Sequence, residues 1–376
     1  MEVSYNKERL FAIKRPERNN EMIEYNIGIL GAGNIAAIIA DVLKNMNGFC
    51  PYAIASRDEQ KAKDFAEKHG IEKAYGSYEE LMADPEVELV YIATVNTNHA
   101  ELAKKCMDAG KPVFIEKPIS YNSRTAAELF QYAEEKGLFC GEAMWLRYNP
   151  LMNMVVDLVK KNAIGDVRSI TANIGYNLGG RERILNPALA GGALLDIGVY
   201  PLTAVFMIMG GPPSQVIATP ITTNTGVDAF STILMGYPQG RNAYVTTTVT
   251  AKLDNRCVIY GTHGRIEINN VNNPSQVTIY GADGQNKGEL VPQDDAKTGY
   301  EYEFKAARKA AIAGNLETTE LTRKDIIELY KFIDTIRYTW NLPFPLPGEP
   351  EKRVQKPETS KEGEPNSAKP KNTENA

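Results

Sequence analysis

Apolar and polar positions first fall into a regular pattern at Tyr25. There "YNIGIL" (25–30) is apolar enough on both sides of its alternation to predict a strand buried on two faces. Beyond it, apolar runs of strand length alternate with segments of helical period. Helices are predicted over 34–46, over 58–70 (Ala62, Phe65 and Ala66 at helical spacing, Gly70 as the stop), over 98–110 and over 123–137. "SYEELMAD" opens another, with Ser77 and Glu80 spaced as a capping box. Strands are predicted over 52–56, 88–94, 112–116 and 138–143. Strands separated by helices of ten or more residues require parallel pairing and right-handed crossovers. Residues 24–145 are therefore expected to form a doubly wound parallel sheet, an α/β domain of Rossmann type.

The pattern changes near residue 145. A helix from Pro150, the strand "VRSITANIGY" and a glycine-opened helix near Gly192 lead into a β-rich stretch. "SQVIAT", "FSTILMGY", "AYVTTTVTA", "CVIYGTHGRIEI" and "QVTIYG" alternate apolar with polar residues and are joined by Gly, Asn or Pro-Gln-Gly turns. This predicts a second α/β domain, 146–344, on a large, mostly antiparallel open sheet with one covered face and one less apolar face. A last helix is expected over 323–340. Residues 1–23, polar and mixed in charge, form an N-terminal extension; 345–376, with no aromatic residue and almost nothing to bury, are expected to be a disordered tail.

Composition narrows the function classes. A chain of 376 residues can hold two cores, and a formal net charge of −5 provides no attraction for nucleic acid. The apolar runs are shorter than a membrane span and broken by charges or glycines, and the N-terminus lacks a secretory stretch. A cytoplasmic protein without membrane or nucleic-acid partners is expected. The four cysteines form no C-x-x-C pair, and His69, His99 and His263 are isolated. Free buried thiols and no metal site follow.

The first turn carries candidate chemistry. "GILGAGNIA" sets Gly31, Gly33 and Ala36 between a strand and a helix, as a pyrophosphate cradle requires. Gly31 permits the turn, Gly33 lets the backbone approach the phosphates, and Ala36 lets helix pack on strand. Asn34 and Ile35 begin the helix whose free N–H groups face the phosphates. After the second strand stand Ser56, Arg57 and Lys61, a hydroxyl and two cations that suit the 2′-phosphate of NADP; Asp58 keeps NAD open. Ligands of such sheets lie beyond the carboxyl ends of the strands. That rule brings to one crevice Thr94, Asn96 and His99, then Glu116 and Lys117, then Trp145 and Arg147.

In this order, G-x-G-x-x-A, T-x-N-x-x-H, E-K-P and "GGALLDIGVY" resemble the glucose–fructose oxidoreductase/inositol dehydrogenase (Gfo/Idh/MocA) family over residues 25 to about 342. "EAMWLRYNP" with "GGALLDIGVYP" is most similar to its dimeric dihydrodiol dehydrogenase and D-xylose dehydrogenase branch. Many members of the family have histidine where this chain has Tyr200, which supports that branch. The resemblance implies a nicotinamide-dependent oxidoreductase whose open sheet forms a homodimer or higher homo-oligomer.

A carbonyl that receives a hydride must also gain a proton, and an alcohol that loses one must release it. Asp196 and Tyr200, four apart, would share a helix face. Tyr200 can serve as proton donor if a cation such as Lys117 lowers its pKa; alternatively Lys117 is itself the acid/base. Asp196 would orient substrate or pair with Lys117, and Trp145 and Arg147 would line the substrate pocket. Against these stand plainer roles: Trp145 as a core aromatic, Arg147 as a structural ion pair, His99 as a packed helix-start residue near the nicotinamide without proton chemistry. The function expected is an NADP-preferring oxidoreductase of a polyhydroxylated small molecule: a sugar, anhydro-sugar or cyclic vicinal diol. Two alternatives are a lyase or glycosidase that retains its nicotinamide, and a non-catalytic nucleotide sensor; a sensor would need neither Lys117 nor Tyr200.

Overall fold

The computed structural model describes residues 24–294 and 296–352. The N-terminal extension and the tail beyond 352 lie outside the described residues. The first sheet comprises β1 (Tyr25–Leu30), β2 (Phe49–Ala55), β3 (Lys73–Tyr75), β4 (Leu89–Ile92), β5 (Val113–Glu116) and β6 (Cys140–Ala143), in the order β3-β2-β1-β4-β5-β6. Every pair is parallel. Ile27, Ile29, Leu89, Val90, Phe114 and Ile115 are fully buried, as two-sided packing requires. The crossovers are α1 (Asn34–Lys44), α2 (Glu59–His69), α3 (Tyr78–Ala83), α4 (His99–Asp108) and α5 (Ser123–Lys136). Winding reverses between β1 and β4, and that switch point opens the crevice.

The second domain begins with α6 (Trp145–Tyr148) and α7 (Pro150–Lys160). Its sheet contains β7 (Val167–Gly175), β8 (Gln215–Thr222), β9 (Asp228–Tyr237), β10 (Arg241–Thr248), β11 (Cys257–Gly261), β12 (Gly264–Ile268), β13 (Val277–Gly281) and β14 (Asn286–Leu290). The order is β14-β13-β12-β11-β7-β10-β9-β8, antiparallel except where β7 meets β10. Between β7 and β8 run the short helix α8 (Glu182–Leu185) and α9 (Val199–Met209). α9 packs on β7 and β10 and buries ten of its side chains. Residues 187–209 are apolar and long enough to cross a membrane by length and composition alone, although 190–192 interrupt the helix and Asp196 and three glycines interrupt the apolar run, as expected. Their most apolar window is 89% buried inside the protein. All four cysteines are free, and Cys106, Cys140 and Cys257 are buried.

The last helices, α10 (Tyr300–Ile312) and α11 (Arg323–Thr339), return to the first sheet. Phe304 on α10 packs against Tyr91 of β4 and Phe114 of β5, with ring centroids 5.3 and 5.4 Å away. On α11 the Tyr330 hydroxyl accepts from Ile119 N at 3.0 Å and donates to Glu142 of β6. The sequence pattern did not predict α10, and the expected division at 145/146 divides the first core from two helices that complete it. Residues 345–352, expected to belong to the tail, are held against the second domain's last helix and the loop before α5. Glu349 bonds Arg337 at 3.0 Å, Asn122 at 2.7 Å and Phe344 N at 3.1 Å, and the Arg337 and Glu349 side chains are each 1% exposed. What holds residues 345–352 is a buried ion pair, which hydropathy does not register.

Candidate active site

A cleft of about 570 Å³ opens at the carboxyl ends of β1, β2, β4 and β5 and is closed from the other side by the second domain. At its base Gly31 has φ +100°, and a Cβ there would stand 2.9 Å from the Ala93 carbonyl oxygen. Gly33 caps α1 without a side-chain hydrogen bond, the first turn carries no acid, and a Cβ on Gly33 would meet nothing within 4 Å. Gly33, Asn34 and Ile35 all face the cleft. Unpaired helix N–H groups, a positive dipole end and open space fit a pyrophosphate.

Ser56, Arg57 and Lys61 line the next part of the cleft. The Ser56 hydroxyl accepts from Asp58 N at 3.2 Å, and Asp58 caps α2 by accepting from Lys61 N at 3.0 Å. Asp58 is thereby occupied and lies outside the cleft lining. Burial pushes the Tyr78 phenol up while the adjacent Arg57 guanidinium draws it down.

Thr94, Asn96 and His99 follow β4, and Glu116 and Lys117 end β5. His99 is buried, with Nδ1 2.9 Å from the Pro118 carbonyl and Nε2 3.2 Å from that of Thr94. Burial drives its pKa down to about 4, so at neutral pH the ring has one N–H and donates to only one of these two carbonyls. Glu116 accepts from the Tyr91 hydroxyl at 2.8 Å; burial raises its pKa to about 7 although the Lys117 charge opposes the rise.

Lys117 is the hub. Its Nζ donates to the Asp196 carbonyl at 2.6 Å, lies 3.8 Å from Asp196 Oδ1 and stands 5.0 Å from the centroid of the Tyr200 ring. Arg183 Nη1 reaches the same Oδ1 at 2.5 Å. Burial would raise the Asp196 carboxyl, but Lys117 and Arg183 outweigh it and hold the group below its ordinary range. Tyr200 behaves oppositely. Burial, then the Glu116 carboxylate and the other acidic groups nearby, push its phenol well above 10. The expected lowering by Lys117 is corrected here: the ammonium lies against the ring face and bonds to Asp196 instead. Among the described residues the Tyr200 hydroxyl has no hydrogen-bond partner, and Tyr200 lines the cleft.

The backbone that carries this pair is not the plain helix expected from four-residue spacing. Leu194–Gly198 is a π turn leading into α9, with Pro201 in the first α turn, so the proline neither ends nor breaks the helix. The segment is pinned at its start. Asp228 accepts from Leu194 N at 2.6 Å, and Gly192, at φ +118°, lies so near that a Cβ would be 2.3 Å from Asp228 Oδ1.

Two expected substrate contacts are placed differently. Arg147 points away from the cleft, donating to the Glu320 carbonyl at 2.9 Å and pairing with Asp325 at 2.7 Å, because the short α6 turns it toward α11. Trp145 stands behind the lining: it stacks on Tyr300 at 4.3 Å, and Tyr300 is the ring that faces the cleft. Sequence reasoning missed Tyr300, Tyr78, Arg181 and Arg183 in the lining. The arginines had a signal in "NLGGRERIL", cations in a glycine loop after a strand. Among the described residues no group of three or more His, Cys, Asp or Glu side chains is placed to hold a metal.

Comparison with known proteins agrees with this geometry. Residues 25–143 match the family model of an oxidoreductase family with an NAD-binding Rossmann fold, GFO_IDH_MocA, and 152–267 match the GFO/IDH/MocA C-terminal domain. Trans-1,2-dihydrobenzene-1,2-diol dehydrogenase of Danio rerio is 33% identical over 322 residues, covering 82% of this chain and 95% of that protein. The Homo sapiens enzyme of that name is also 33% identical, covering 85% and 97%. The structure of KijD10, a 3-ketoreductase from Actinomadura kijaniata in complex with NADP and TDP-benzene, superposes with a TM-score of 0.73 at 27% identity, covering 84% of this chain and 97% of that one.

Proposed function

The chain belongs to the GFO/IDH/MocA oxidoreductase family, and on that premise we propose an NADP-preferring enzyme that interconverts a hydroxyl and a carbonyl on a sugar, anhydro-sugar or cyclic vicinal diol. A bound nicotinamide dinucleotide supplies or takes up the hydride. The residues of this chain do the rest. N–H groups at Gly33, Asn34 and Ile35 hold the pyrophosphate, and Arg57 and Lys61 with the Ser56 hydroxyl receive a 2′-phosphate. Occupation of Asp58 as a helix cap removes the carboxylate that NAD would use, which favours NADP. Diol dehydrogenases among the relatives and an NADP-bound ketoreductase among the structural neighbours support the same substrate and cofactor classes.

The observation that carries the reading is the Lys117–Asp196–Tyr200 cluster at the end of the phosphate cradle. The Lys117 ammonium, fixed by Asp196 and lying against the Tyr200 ring, is placed to give a proton to a nascent alkoxide, and the Tyr200 hydroxyl, which faces the cleft, holds the reacting oxygen by hydrogen bond. Asp196 keeps Lys117 in place. The test is a screen of aldoses, anhydro-sugars and vicinal diols in both directions with NADP and NAD. Tightly held nicotinamide without net turnover would replace the dehydrogenase by a nicotinamide-retaining lyase; no chemistry with any compound would leave the nucleotide sensor.

The outer face of the second sheet supports a homodimer. Ile217, Leu234 and Tyr244 are cross-strand neighbours on β8, β9 and β10, and Ile217 and Tyr244 are 69% and 45% exposed.

A further inference from the structure

Five cations line the cleft, gathered at its two ends. Arg57 and Lys61 stand at the end assigned to the adenosine phosphates; Lys117, Arg181 and Arg183 stand at the other, with Asp196 as their counter-charge. Asp196 is already shared: Lys117 and Arg183 approach the same Oδ1. Arg181, which is exposed, acts on Asp196 by its charge only and from further off than Lys117 and Arg183. Its side chain makes no hydrogen bond or ion pair with any described residue, yet it lines the cleft.

Arg181 is also held by ordered backbone. Leu178 N bonds to the Val249 carbonyl at 2.8 Å and Arg181 N to the Leu178 carbonyl at 3.0 Å, closing a turn. Ile184, fully buried, anchors the following helix, and Gly192 N bonds to the Ile184 carbonyl at 2.9 Å. The two arginines therefore belong to one backbone unit with the segment that carries Asp196 and Tyr200. A neutral polyol is recognised by neutral and acidic acceptors and donors and requires no guanidinium with its hydrogen-bond donors free. A carboxylate or phosphate is matched by a guanidinium fork, with hydrogen bonds about twice as strong as neutral ones.

Building on the oxidoreductase reading above, we infer that the substrate carries an anionic group, carboxylate or phosphate, which Arg181 receives with Arg183 beside the carbon that reacts at Lys117 and Tyr200. The substrate class is then an acidic or phosphorylated sugar derivative, not a neutral sugar.

The test compares D-glucose with D-glucuronate, D-glucose 6-phosphate and D-glucose 1-phosphate on the full chain with NADP. Calorimetric binding and kcat/KM are measured for the protein as it is, for Arg181→Ala and for Arg181→Lys. Expected is tighter binding and at least tenfold higher kcat/KM for an anionic probe, weakened by added salt. Arg181→Ala lowers both by a factor at least tenfold greater for that probe than for D-glucose, and Arg181→Lys restores part of the loss. The carboxylate and phosphate arms tell which anion is taken. Anionic probes that bind no better than D-glucose, or an Arg181→Ala loss equal for all probes, overturn the inference while leaving the oxidoreductase reading in place. A loss of NADP affinity equal to the loss of probe affinity would reassign Arg181 to the cofactor. Absence of turnover with every probe counts against the oxidoreductase reading, and the binding data still decide the anion site.

Discussion

Replacing Lys117 by Met retains most of the stem and deletes the ammonium. Three interactions go: the 2.6 Å bond to the Asp196 carbonyl, the attraction to Asp196 Oδ1 at 3.8 Å, and the cation near the Tyr200 ring. At an effective dielectric constant of about 20, unit charges at that separation attract by about 4 kcal/mol. The pair is buried, its side chains 15% and 5% exposed, so solvent screens little of this. Asp196 keeps Arg183, however, whose side chain is 43% exposed and takes up part of the charge. The net loss of folding stability is therefore about 1–3 kcal/mol, below the range for an orphaned buried charge. Catalysis should suffer more, with kcat falling roughly 10²- to 10⁴-fold, the usual worth of a positioned acid/base. NADP affinity should change by no more than about threefold, because the cradle at Gly31–Ile35 is untouched. The assay follows nicotinamide absorbance with the best substrate of the screen, alongside equilibrium dialysis of NADP and urea unfolding. Tyr200→Phe, measured in parallel, should lose less in kcat than Lys117→Met. A Lys117→Met enzyme within tenfold of the original kcat, or one whose NADP affinity falls as far as its turnover, would refute Lys117 as the proton donor.

Gly192→Ala should cost about 3–5 kcal/mol and much of kcat: its φ of +118° disfavours a side chain, and the new Cβ displaces Asp228 from Leu194 N; unchanged urea midpoint and turnover would show that the segment is not pinned there. Arg57→Ala should weaken NADP far more than NAD, and equal losses would refute the phosphate contact. Glu116 ionises near 4.5 when unfolded but only near 7 when folded, so its contribution is fully present below pH 4.5 and is lost, by about 3 kcal/mol, as pH rises to 7. Glu116→Gln should flatten the decline of stability over that interval, and parallel curves for the two proteins would count against it. His99 has the opposite sign: its contribution is present above pH 6.5 and lost as pH falls through about 4. Tyr244→Lys should shift a dimer toward monomer in sedimentation; a protein already monomeric at micromolar concentration ends the dimer proposal.

Local signals were the legible ones. Gly31, Gly33, Thr94, Asn96, His99, Glu116 and Lys117 each stand at the end of a buried strand, and strand order alone brings such ends to one crevice. Arg147 follows β6 in the same way, yet a four-residue helix rotates it toward Asp325, a direction no periodicity encodes. Tyr300 and Arg181 come from far along the chain and enter the cleft through tertiary packing. The π turn at Leu194–Gly198 was hidden because a four-residue spacing looks the same in one helix type as in another. Glu349 escaped because its segment is held by charge rather than by apolar contact.

The return of α10 and α11 to the first sheet has a consequence for synthesis. When β1 to β6 have left the ribosome, the faces of Tyr91 and Phe114 that meet Phe304 remain bare, and Ile119 N lacks the Tyr330 hydroxyl. Burying a phenylalanine of this kind stabilises a core by about 1.5–3 kcal/mol, and that contribution arrives about 190 residues after Phe114 was made. At roughly 5–20 residues per second the nascent nucleotide-binding half waits on the order of ten seconds or more with an apolar seam open. The core of the nucleotide-binding half is thus completed only by helices translated after the whole of the second sheet.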